Sequence, residues 1–123
     1  MANPFLERLT LGPMLCDGAM GTLLHQRGFA IDSCFDALNL SARDDVIHVH
    51  RDYIAAGSDI IETNTFGANR YKLSAHGLED RVRDINFRGA KIASDAREIS
   101  GRPVLIAGSV GPTGQDCSIG TVQ

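Results

Sequence analysis

A chain of 123 residues is one domain's worth of sequence, enough to bury a modest core and too short for a large enzyme fold. With 43% hydrophobic and 22% charged residues it falls among ordinary globular sequences, which excludes a disordered or fibrous chain. The net charge of -3, without a Lys/Arg cluster, argues against nucleic acid as a partner.

"MANPFLERLTLG" carries Glu7 and Arg8 where a signal peptide needs an uninterrupted apolar run. No apolar stretch approaches the roughly 20 residues of a membrane span, so a cytoplasmic protein is expected. The first strand-like run, "PMLCD" at 13–17, opens into "GAMGT", and a short helix is predicted at 21–27, stopped by Gly28. Ser41 and Asp44 read as a variant capping box for a helix over 42–56, stopped by Gly57, with Val46, Ile47, His50, Tyr53 and Ile54 facing inward. His50 is therefore expected to be a hydrogen-bonded core histidine, and His25 and His76 solvated ones near helix ends.

The second run, "SDIIET" at 58–63, leads into "NTFGAN" and a short helix at 69–75 ending near Gly77. Leu78, Val82, Ile85, Gly89, Ile92, Ala93 and Ala96 then recur at helical spacing as the apolar stripe of a second long helix. The third run is "PVLIAGS" at 103–109, and the tail from 114 to 123 has neither helical nor strand period.

Strand, helix, strand, helix, strand implies parallel strands with their loops on one functional edge. The strand ends Asp17, Thr63 and Ser109 stand 46 residues apart each time. Both a doubly wound nucleotide-binding half and the opening of a (β/α)8 barrel begin this way. Neither GxGxxG nor GxxxxGK[ST] occurs, which disfavours the nucleotide reading.

Asp17 at the mouth of the first turn would repel a phosphate and suits an ammonium group, with backbone N–H groups of the same turn free for a carboxylate. Pattern alone leaves a second reading equally open, an aspartate capping the next helix. Glu62, Thr63, Asn64 and Thr65 are more hydrogen-bonding groups than a turn needs. One or two are expected to cap the next helix and the rest to serve a ligand or the interior. Phe66 is expected to pack under the sheet, with a pocket wall as the alternative. Cys16, Cys34 and Cys117 form an odd set without CxxC spacing, and Cys16 is expected to be a small buried hydrophobe.

In order, "DGAMGT" (17–22), "LN" (38–39), "AGSDIIETNTFGAN" (56–69), "KLSAHGLED" (72–80) and "GSVGP" (108–112) resemble the N-terminal part of the homocysteine S-methyltransferase family. That family includes the homocysteine-binding barrel of cobalamin-dependent methionine synthase. The resemblance implies an α/β chain making the first three β/α units of a (β/α)8 TIM barrel over residues 1–123. It also implies homocysteine as substrate, held by Asp17 and Gly18, with Thr63 and Asn64 in the same pocket.

Zinc activates the thiol in that family, and cobalamin or a folate can supply the methyl group. Its zinc cysteines lie in an Asn-Cys and a Gly-Gly-Cys-Cys word, neither of which occurs here, so these residues alone are expected to be inactive and to bind no catalytic zinc. Three parallel strands cannot close a barrel, so missing strands or self-association are expected to complete the unit. A stand-alone small binding or interaction module is the alternative.

Overall fold

A computed structural model describes residues 2–116 and 118. The second and third apolar runs form a parallel pair, β1 (Ile60–Glu62) and β2 (Leu105–Ala107), in the register Ile60 to Leu105, Ile61 to Ile106 and Glu62 to Ala107. The first run contributes a single parallel bridge, Cys16 to Ile60, and not the strand expected at 13–17. Pro13 has no N–H to donate, and the Leu15 N–H goes to the Asp59 side chain at 2.8 Å instead of to a strand. The spatial order is still first run, β1, β2, so the turns after all three lie at one end.

Between β1 and the first run lies helix α4 (Arg43–Ala56), and between β1 and β2 lies α6 (Val82–Ser100). Helix α4 ends where expected, on Gly57 (φ 110°), and α6 stops in the same way on Gly101 (φ 69°). Only glycine adopts such backbone without strain, so Gly57→Ala should lower stability by about 1 kcal/mol, visible as an earlier urea midpoint. The start of α4 differs from expectation. Its N-cap is Ala42, and Ser41 is the last residue of a short helix, α3 (Leu38–Ser41), its hydroxyl donating back to the Ala37 carbonyl at 3.4 Å. With the serine turned into the preceding helix, only Asp44 and Asp45 in the first turn favour the α4 N-terminus, through charge.

Two short elements follow the glycine-stopped pattern, α2 (Gly21–Gln26) and α5 (Arg70–Ser74). An N-terminal helix, α1 (Pro4–Leu9), is capped by Asn3, whose Oδ1 accepts from the Leu6 N–H at 3.1 Å. Asparagine followed by proline was its one sequence signal. A 3₁₀ turn at Phe35–Ala37 leads directly into α3.

The core joins α2, α4, α6 and β1 through Leu24, Val46, Val49, Ile54, Ile61 and Ile92, all at most 2% exposed. Ala93 and Ala96 complete the α6 stripe with no exposed surface. His50 is buried on α4 as expected, but neither ring nitrogen has a hydrogen-bond partner among the described residues. Its apolar surroundings solvate no charge, and its pKa is lowered to about 4 by burial. Cys16 is exposed rather than buried, because the bridge it makes lies at the sheet's outer edge. Cys117 lies outside the described residues. Among the described residues no helix is long and apolar enough to cross a membrane.

Candidate functional site

The turns after the first run, β1 and β2 enclose a cleft of about 390 Å³. Asp17, Gly18, Thr63 and Asn64, the four residues expected at the site, all line it, together with Ser109 from the third turn. Asp17 does not cap the following helix. The N-cap of α2 is Met20, without a side-chain hydrogen bond. The Asp17 carboxylate instead bridges strands, with Oδ2 accepting from the Glu62 N–H at 3.0 Å. Its other oxygen, Oδ1, is buried and has no donor among the described residues. Burial, and secondarily the charge of Glu62, raise the Asp17 pKa above the ordinary carboxylate value, and the Glu62 N–H opposes them.

Gly18 is positioned by Tyr53 of α4, whose hydroxyl donates to the Ala19 carbonyl at 2.7 Å. A Cβ at Gly18 would stand 3.1 Å from that hydroxyl, so the first turn passes the tyrosine with little room for a side chain. Gly21, where α2 starts, lies against the Phe35 ring.

The four polar residues after Ile61 cap no helix; α5 is capped by Asn69, whose Oδ1 accepts from the Lys72 N–H at 2.9 Å. The side-chain hydrogen bonds of Thr63, Asn64 and Thr65 run inward. The Thr65 hydroxyl is 2.7 Å from the Ser109 carbonyl, which can only accept, so Thr65 spends its one hydrogen there. Thr63, 2.7 Å from Thr65 Oγ1, must then donate to it, while its own oxygen accepts from the Ser109 N–H at 3.0 Å. This closed ring ties the turn after β1 to the end of β2. Both amide hydrogens of Asn64 are likewise spent, on the Phe35 carbonyl at 2.9 Å and on Asn39 Oδ1 at 3.0 Å.

Phe66 was expected to pack under the sheet and instead is 63% exposed as a wall of the cleft. Gly111 of the third turn lies so close to the Phe66 carbonyl and ring that no Cβ would fit there. Asp36 is a cleft residue that no sequence pattern singled out. Its Oδ1 accepts from the Gly67 N–H at 3.1 Å, and burial raises its pKa. A second cleft of about 310 Å³ shares Phe35, Asp36, Phe66 and Gly67 and adds Cys34, Lys72 and His76. The Cys34 thiol is pushed up by burial, which keeps it protonated and weakly nucleophilic.

Asp17, Asp36 and Glu62 give the first cleft three carboxylates, and among the described residues no Lys, Arg or His lines it. Such a site favours a cation and, through Phe35, Phe66 and Met20, an apolar body attached to it. It does not fit a zinc ion. Among the described residues no group of three or more His, Cys, Asp or Glu side chains is placed to hold a metal, and Cys16 faces solvent.

The homocysteine S-methyltransferase family model matches residues 14–123. The chain belongs to the homocysteine S-methyltransferase family. It is 36% identical over 116 residues to the methionine synthases of Mycobacterium tuberculosis and Mycobacterium leprae, matching 87% of this chain and 10% of each of those proteins. Among solved structures it is similar to the homocysteine methyltransferase MmuM from Escherichia coli. The metallated form superposes with a TM-score of 0.79 at 30% identity, over 97% of this chain and 45% of that one. The oxidized form gives 0.81 at 31% identity, over 92% and 42%. The chain thus spans about a tenth of the curated relatives and under half of the solved ones. The four expected family residues surround one cleft, and the nucleotide-binding alternative falls with the family assignment.

Proposed function

We propose that this chain is the homocysteine-holding part of a homocysteine S-methyltransferase, built as the first three β/α units of a (β/α)8 barrel. The observation that carries the reading is the Asp17 carboxylate: among the described residues no cationic side chain lines its cleft and no donor reaches one of its oxygens. An ammonium group supplies that donor and a compensating charge, in a partly desolvated place where a charged hydrogen bond is strong.

In this reading Asp17 takes the substrate's ammonium group, and backbone N–H groups of the turn from Gly18 take its carboxylate. Thr63 and Asn64, whose hydrogens are already committed, shape the wall rather than donate. Phe35 and Phe66 cover the apolar part of the side chain. Zinc in this family favours the thiolate that attacks the methyl group, and the donors of these residues do not fit it. Thiolate activation and the cobalamin or folate methyl donor are therefore assigned to parts of such an enzyme other than these residues. A cytoplasmic location goes with this reading.

Titration calorimetry of the chain with L-homocysteine and with N-acetyl-L-homocysteine tests it. Acetylation removes the cation and leaves the carboxylate and thiol, so affinity should fall by about tenfold or more. Equal affinities would remove the ammonium from the recognition.

A further inference from the structure

We propose that Asn39 is the positioning residue of the cleft, holding the turn after β1 and the Phe35 wall in register without touching the ligand. Asn39 belongs to the "LN" word at 38–39 and is 1% exposed, behind the lining residues. A buried amide is retained at a net cost unless its hydrogen bonds are made. Here both hydrogens and the oxygen are engaged. Nδ2 donates to the Asn64 carbonyl at 2.8 Å and to the Ile85 carbonyl at 3.1 Å, and Oδ1 accepts from Asn64 Nδ2 at 3.0 Å. The two carbonyls can only accept, which fixes which end of the amide faces them.

Asn39 and Asn64 therefore pair through two reciprocal hydrogen bonds, one to the side chain and one to the backbone of Asn64. The remaining hydrogen of Asn64 reaches the Phe35 carbonyl, so one amide pair fastens two segments of the cleft wall together. The bond to Ile85 anchors the pair on α6. Helix α6 comes this close because residue 89 is glycine. A Cβ there would stand 2.6 Å from the Thr65 methyl and 2.8 Å from Asn39 Nδ2. Thr65 is a member of the hydroxyl ring that ties the same turn to Ser109. Asn39 and Gly89 set how deep the Asn64 end of this turn sits against α6, and Asn86 Nδ2 ties the far end of the turn to the same helix by donating to the Ala68 carbonyl at 2.8 Å.

The affinity arm of the test rests on the reading under Proposed function; an NMR arm does not. Asn39→Asp keeps the shape but turns a carboxylate toward two carbonyl oxygens, and protonation returns one O–H donor. At about pH 8 the variant should bind L-homocysteine about tenfold more weakly than the parent. At about pH 5 the gap should narrow to about threefold, a recovery that general destabilisation does not produce. A folded variant that binds like the parent at both pH values, or a gap that ignores pH, would overturn the proposal.

If Asn39→Asp does not fold, Gly89→Ala displaces the same contacts without a titrating group. It should weaken binding about tenfold at both pH values, and unchanged binding would overturn the proposal. If the parent does not bind homocysteine, the reading of the substrate fails, and the positioning role is judged on the labelled chain alone. The amide signals of Thr63, Asn64 and Ser109 should then move in Asn39→Asp at about pH 8 and return at about pH 5. Signals that stay in place would count against it.

Discussion

Acidification from about pH 6.5 to about pH 4 should cost this fold about 3 kcal/mol through His50 alone. The side chain has no exposed surface, and neither ring nitrogen has a partner among the described residues, so the folded state holds it neutral. Its pKa is lowered to about 4 by burial, below the value of about 6.5 in an unfolded chain. As the pH falls through 6.5 the unfolded chain takes up a proton that the folded chain refuses, so stability is complete above that value and drains away down to about 4. Asp17 and Asp36 act in the opposite sense, since their raised pKa values make the folded state the better proton acceptor at acidic pH, and they offset part of the loss.

Because a domain of this kind is stable by only about 5–15 kcal/mol, the effect should be plain in urea midpoints measured across the window. His50→Leu removes the titration while keeping an apolar group of related size. Its midpoint should vary less with pH than the parent's, and two parallel pH curves would show that His50 is not the responsible group.

Asp17→Asn should weaken homocysteine binding by about 1.5–3 kcal/mol, the worth of a hydrogen bond to a charged group. The same change should leave the empty chain as stable as before, or more so. An asparagine oxygen can still accept from the Glu62 N–H, while the desolvated charge and its repulsion from Glu62 both disappear. Such opposite responses in binding and stability are expected where a carboxylate is held in the folded state for a ligand. Calorimetry together with thermal melting reads both. A variant that melts early and binds normally would make Asp17 a structural bridge and nothing more.

Elements whose causes are local were legible in the chain before it folded. Helices α4 and α6 were legible from apolar spacing, and the end of α4 from Gly57, because periodicity and a left-handed stop act within one segment. The turn from Asp17 and the turn after Ile61 were legible as a site because parallel strands bring such loops to one edge, and the ordered words named the family. Tertiary structure decided what each polar group is used for. The bonds of Asn39 reach residues 25 and 46 positions away, and Thr65 and Ser109 are 44 apart, distances over which no periodicity operates. Asp36 is held at the cleft by the N–H of Gly67, 31 positions away, and Phe66 meets Gly111, 45 positions on, contacts that only the packed chain brings together. Ser41 looked like a cap because its neighbours in sequence suit one, yet it sits on the helix before. Hydrogen bonds are spent where the packed chain places a partner, and that placement is settled by the burial of Ile61, Ile85 and Ile92 around the turns rather than by the residues of the turns themselves.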